Sequence, residues 1–326
     1  MPAQFIQMLE KNYTKVFNYT GGHPDLRTVV SLAAQYTYAN RTYSGVEHQA
    51  VMDKMTSGKG TFHVFRPCSR NIGLLYKVAA SLLLDGNIEE SALQVEKKDS
   101  LLDEHRFGRS SYRVISSFFL KDKKHAGRAK KLYDKMSKHH PILTRKSDFP
   151  LAVIVTTPED SDIDLYAQTM HDYFDALRML GFKAGDSLQT LTQILTLYDA
   201  HFQQEFAEYV AQLKIELEKK GIHIKRIHYP FLGILTLSAA DTQVIVKVVM
   251  LEEQLRNSKA LKGVKELALI IAIQKFVREY GGLHQVIDTQ RFTGWQGILE
   301  LGDLFFYLPV GATEGLAGLL DIDVNF

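Results

Sequence analysis

Three tetrads, Ile154-Val155-Thr156-Thr157, Ile194-Leu195-Thr196-Leu197 and Ile234-Leu235-Thr236-Leu237, follow one another at intervals of 40 residues. Pro150 and Pro230 stand two such periods apart, each behind an aromatic residue (Phe149, Tyr229). Gly181-Phe182 and Gly221-Ile222 stand one period apart. A fixed period of this length marks a supersecondary unit that cannot bury its apolar face alone and must stack on its neighbours. The period therefore predicts an all-α chain, an α-solenoid of about six or seven helical hairpins. Its units are tetratricopeptide- or HEAT-like in kind, but longer than the tetratricopeptide period of about 34 residues.

Each unit reads as a short apolar helix followed by a longer amphipathic one. The apolar helices are predicted near 70–84, 109–120, 148–157, 187–198, 227–239 and 264–278, and their apolar character on all sides implies packing between neighbours. The partners are predicted near 88–104, 124–138, 161–180, 200–220 and 241–257. A weaker unit falls at 25–57 and a capping helix at 1–20. Gly181 and Gly221 read as left-handed helix ends, Pro150 and Pro230 as first-turn prolines, and Asp162 and Asp241 as N-caps. Ser116, Thr156, Thr196 and Thr236 read as hydroxyls bonding back to their own buried helices. Residues 1–282 are thus expected to form one array, with 1–60 as cap and first unit. Residues 283–326, glycine-rich and holding Trp295 and the run Leu304-Phe305-Phe306-Tyr307-Leu308, are expected to cap the same domain.

The balance of 39 Lys and Arg against 37 Asp and Glu leaves a net charge of +2, so no overall field draws the chain to nucleic acid or membrane. The single cysteine, Cys68, excludes an intrachain disulfide framework and fits a reducing compartment. No apolar run reaches membrane length, and the N-terminus shows no signal-peptide core, so a cytoplasmic protein is expected.

Chemistry is sparse. Arg66, Arg106, Lys146, Asp186 and Arg226 stand one period apart, each just ahead of an apolar helix. In a stack, equivalent positions line one rim, and four cations there suit an anionic, extended ligand. Asp148, Gln189, His228 and Tyr229 sit at nearly equivalent helix starts and read either as caps or as polar groups lining a groove. Residues 106–146 hold thirteen Lys and Arg against two acids, whereas 147–217 hold twelve acids against three bases. The basic stretch, with Arg109, Arg113, Lys123, Lys124, Arg128, Lys130 and Lys131, supports RNA or DNA binding as an alternative, beside a solvated or internally complementary face. The adjacent His139 and His140 point apart if both are helical. No P-loop, Gly-x-Ser-x-Gly, Gly-x-Gly-x-x-Gly or His-Glu-x-x-His is present, so neither cofactor nor metal is expected.

Three phrases carry a resemblance. They are Gly181-Phe182-Lys183-Ala184-Gly185-Asp186-Ser187-Leu188-Gln189-Thr190-Leu191, Asp148-Phe149-Pro150-Leu151-Ala152 and His228-Tyr229-Pro230-Phe231-Leu232-Gly233. Taken in chain order and at this spacing, they make the chain resemble, over about residues 60–280, the bacterial domain-of-unknown-function family 4003. The resemblance implies a helical protein of a Gram-positive-type bacterium and carries no activity with it. The residues themselves favour a scaffold holding a peptide or protein segment in a concave groove over catalysis. An enzyme or a small-molecule binder stands as a further alternative.

Overall fold

The computed structural model describes all residues except 1, 24, 160–161, 239–241, 281–298 and 303–326. Among the described residues the regular elements are all helical. They are α1 (Pro2–Thr20), α2 (Leu26–Tyr38), α3 (Gly45–Ser57), α4 (Ile72–Asp85), α5 (Ile88–Glu104), α6 (Ser111–Phe119), α7 (Lys123–His139) and α8 (Phe149–Val155). There follow α9 (Ile163–Met179), α10 (Asp186–Thr196), α11 (Gln204–Lys219), α12 (Tyr229–Leu237), α13 (Thr242–Arg256) and α14 (Leu267–Tyr280). Four 3-10 segments, Gly60–Arg70, Lys146–Asp148, Arg226–His228 and Lys259–Leu261, punctuate them. No described helix is long and apolar enough to cross a membrane. The expected apolar helices are α4, α6, α8, α10, α12 and α14, and their expected partners are α5, α7, α9, α11 and α13.

The local signals act as their chemistry requires. Gly181 and Gly221 take positive φ (87° and 83°), letting Phe182 and Ile222 donate their N–H groups back to Leu177 and Leu217. Asp162 caps α9 through the N–H groups of Asp164 and Leu165. Ser116, Thr156, Thr196 and Thr236 each donate to the carbonyl four residues back, at 2.7–2.9 Å, and so enter the core with their hydroxyls satisfied. Asp241 and almost all of the expected C-terminal cap lie outside the described residues.

The residues group into two compact units. The first draws on Met1–Lys97, Asn257–Leu267 and Glu300–Phe326, the second on Lys98–Arg256 and Ala268–Leu299. The reason is a long-range return. In the first unit Arg27 pairs with Glu266 at 2.7 Å, Lys259 N–H donates to Glu10 at 2.9 Å, and Leu261 is fully buried. No local pattern announces contacts between residues so far apart in sequence. Within this unit α1 packs on α2, α2 on α4, and α3 on both α4 and Gly60–Arg70.

In the second unit α6 packs on α8, α8 on α10 and α10 on α12, while α7 packs on α9 and α9 on α11. The short helices are buried on every side, as in α8 from Phe149 to Val155 and α12 from Tyr229 to Leu237. Gly233 allows α12 to approach α10: a Cβ there would stand 2.7 Å from Leu191 Cδ1 and 3.2 Å from Ile194 Cγ2. A branched side chain at this point has to push two buried residues apart. Gly233→Val is expected to destabilise the chain by about 1–3 kcal/mol despite removing a helical glycine. Urea unfolding checks this; an unchanged midpoint would show that α10 and α12 do not meet there.

Candidate functional site

The 3-10 turns Lys146–Asp148 and Arg226–His228 lie two periods apart, and each delivers the chain into an aromatic-Pro helix start. In each, the third residue turns back on the residue before the turn. The Asp148 carboxylate accepts from Arg145 N–H at 2.8 Å, and His228 Nδ1 accepts from Lys225 N–H at 3.0 Å. His228 is thereby a buried capping group. Tyr229 packs its ring edge-on against Phe182 at 4.8 Å and accepts the Lys183 N–H at 3.4 Å. Both residues serve the helix start.

Asp148 and Gln189 do meet. Gln189 donates Nε2–H to Asp148 Oδ1 at 2.9 Å and approaches Thr144 Oγ1 at 3.4 Å. Gln193, one turn further along α10, donates to the same Oδ1 at 2.8 Å. Gln189 stands 40 residues after Phe149 and 40 before Tyr229, so an amide replaces an aromatic ring in the middle unit. Gln193 escaped the sequence reading. Its signal is the i,i+4 spacing from Gln189, which puts both amides on one helix face. Burial pushes the Asp148 carboxyl up to about 6, although three N–H donors pull the other way.

The charged column is partly rearranged. Lys146 and Arg226 each open a 3-10 turn and Asp186 opens α10, so these three are equivalent. Arg106 is not their counterpart. It lies in the turn after α5, where Phe107 donates back to Leu102 as Phe182 does to Leu177 and Ile222 to Leu217. Its counterparts are Gly181 and Gly221, and its φ is +62°. The period fails here because α6 starts without a preceding 3-10 turn. Lys146 nevertheless comes against the turn that follows Arg106: a Cβ on Gly108 would stand 3.3 Å from Lys146 Cε. Arg226 likewise lies over Gly185, at 4.0 Å from Nη1. Arg66 belongs to the first unit, with its guanidinium against Gly58.

The basic stretch is partly neutralised. Arg113 is buried, holds Asp99 through two bonds of 2.9 Å, meets Asp103, and donates to the Phe107 carbonyl. It is a packing cation and leaves the nucleic-acid set, because a buried guanidinium must be paired. Lys123 pairs with Glu104 at 2.7 Å, Lys130 with Asp134, and Lys135 with Asp164 from the acidic stretch. Arg128 donates to the Thr156 carbonyl at 3.3 Å. Arg109, Lys124 and Lys131 are exposed.

Histidines gather where α7 ends. His139 stacks on His171 at 5.0 Å, and His140 Nε2 lies 3.3 Å from His171 Nδ1. The two neighbours converge because the chain leaves the helix at His140. Among the described residues no group of three or more His, Cys, Asp or Glu is placed to hold a metal ion. His125 is a core residue: its Nδ1 accepts from Lys121 N–H at 3.2 Å and its Nε2 lies 2.7 Å from the Val153 carbonyl. These partners put the proton on Nε2. Burial pushes its pKa down to about 4.

The chain belongs to a family described as protein of unknown function (DUF4003), which it matches over residues 12–301. It is similar to an uncharacterised protein, YeaA, of Bacillus subtilis (strain 168), with 26% identity over 171 residues. The match covers 52% of this chain and 50% of that protein, so about half of the relative's length is spanned. No solved structure matches.

The buried imidazole sets a pH dependence. Unfolded His125 takes its proton near pH 6.5, the folded residue only near pH 4. The unfolded state binds more protons between these values, so stability falls as pH drops through the window. This one group accounts for up to about 3 kcal/mol. In urea titrations across the window, His125→Gln is expected to flatten the slope by one proton. An equal slope in both proteins would mean that the folded imidazole is already charged.

Proposed function

We propose that the second unit is a short α-solenoid segment whose loop edge, carrying Arg106 and Lys146, holds an extended acidic peptide or protein segment. The row packing of α6, α8, α10 and α12, with α7, α9 and α11 forming the other row, supports the solenoid reading. In such a stack the helix starts share one edge, and successive loops lie about 8–10 Å apart. Extended peptides suit surfaces of that kind.

The observation that carries this reading is the conformation of Arg106. A left-handed backbone is costly for any residue with a Cβ, and glycine fills the same turn position at 181 and 221. At 106 the chain keeps a long cationic side chain, exposed, just before Gly108, over which the exposed Lys146 lies. Local strain tolerated at an exposed charge supports a role outside folding. An acidic ligand is the matching partner, because a guanidinium and an ammonium on one edge recognise carboxylates. The single cysteine, buried and in no disulfide, accords with work in the cytoplasm. The pairing of Lys123, Lys130 and Lys135 weakens the nucleic-acid alternative.

Fluorescence anisotropy of the full chain tests this with three labelled probes of equal length: oligo-glutamate, oligo-lysine and single-stranded RNA. Oligo-glutamate is expected to bind best, and Arg106→Ala with Lys146→Ala to weaken it by about tenfold or more. Preference for oligo-lysine, or an unchanged affinity in the double variant, would sink the reading. RNA binding that falls steeply with salt would move the function to the basic helix. A second outcome separates strain from ligand: Arg106→Gly is expected to raise stability by about 0.5–1 kcal/mol while losing affinity. Lower thermal stability in that variant would assign Arg106 to the fold instead.

A further inference from the structure

The histidines at the end of α7 meet α9 in a geometry that a hydrogen bond explains poorly. α7 stops at His139, and His140 takes φ −131° and ψ 68°, so the chain turns out of the helix there. The His140 ring packs against Phe174 at 4.5 Å and against His171 at 5.1 Å between centres. His140 Nε2 and His171 Nδ1 stand 3.3 Å apart, which is long for an N–H donor and its acceptor. A head-on bond of that length would hold the ring centres about 5.6 Å apart, further than they are. Two imidazoles on one tetrahedral zinc ion, with bonds of about 2.0–2.1 Å, place their nitrogens about 3.3 Å and their ring centres about 5.2 Å apart.

The protons fit the same arrangement. His171 Nε2 lies 3.6 Å from the Asp175 carboxylate, which favours the proton on that nitrogen and a lone pair on Nδ1. Burial, with the His171 and His139 rings close by, lowers the His140 pKa, so this ring is neutral at physiological pH. His140 is half-buried and the His171 side chain is 34% exposed, so solvent reaches the pair.

We infer that His140 and His171 form a solvent-open site for one zinc ion, bound through His140 Nε2 and His171 Nδ1, with Asp175 orienting His171 from behind. No third His, Cys, Asp or Glu among the described residues joins them, so water completes the coordination. Paired imidazole nitrogens suit zinc and exclude magnesium and calcium, which require oxygen. The ion would fasten the loop after α7 to α9. This site does not rest on the peptide edge, and neither requires the other.

Calorimetric titration of the full, chelator-washed chain with zinc chloride at about pH 7.5 tests this. Saturable binding of one ion is expected, with no heat from magnesium chloride. His171→Gln is expected to weaken zinc binding by about tenfold or more, and Asp175→Asn by about tenfold. His139→Gln removes the ring stacked on His171 but neither ligand, and is expected to keep the affinity. No saturable binding, an equal affinity in His171→Gln, or loss of binding in His139→Gln would overturn the inference. Should His171→Gln fail to fold, the imidazole resonances of the unaltered chain decide. Zinc is expected to shift those of His140 and His171 and to leave buried His125 unmoved; shifts confined to other histidines would overturn the assignment.

Discussion

Everything in the second unit depends on the burial of helices too short to stand alone. A helix of seven to eleven residues gains little from its own hydrogen bonds, because nucleation costs more than a few turns return. α8 and α12 exist because neighbours close over them on every side, and α10 because they close over all but its first turn and Thr190. That demand explains the rest of their chemistry. The aromatic-Pro starts need no N–H partner at the proline, the threonines hide their hydroxyls against their own carbonyls, and Gly233 lets one helix settle into the next.

The two positions of greatest functional interest are departures from that economy. Arg106 holds a left-handed turn that glycine would hold more cheaply, and Gln189 stands where the flanking repeats place Phe149 and Tyr229. Each is a polar or charged residue where the repeat places glycine or an aromatic ring, one on the surface and one inside. The surface departure leaves an exposed guanidinium at the turn. The interior departure brings two amide N–H groups onto a buried carboxylate.

Periodicity made the helices of the repeat readable to within a turn at either end, since a helix between neighbours has to be apolar all round and its partner has to alternate. Burial of charge was not readable in the same way. Arg113 looks like any other cation of the basic stretch until Asp99 and Asp103 are found around it. His139 and His140 look divergent until the helix is seen to end between them and their shared neighbour, His171. Gln193 carries no distinctive motif, and only its distance to Asp148 reveals a role.

The sequence by itself determined the helical class, the order of short and long helices, and the glycine turns at Gly181 and Gly221. Those features follow from local forces, namely side-chain periodicity, capping and the backbone freedom of glycine. Only the tertiary structure decided that the residues form two units, through contacts such as Arg27 with Glu266. It also decided that Lys146 lies against Gly108 in the turn after Arg106 and that two glutamines converge on one carboxylate. Such meetings depend on how far one helix is offset against another, and no interval counted along a chain contains that distance.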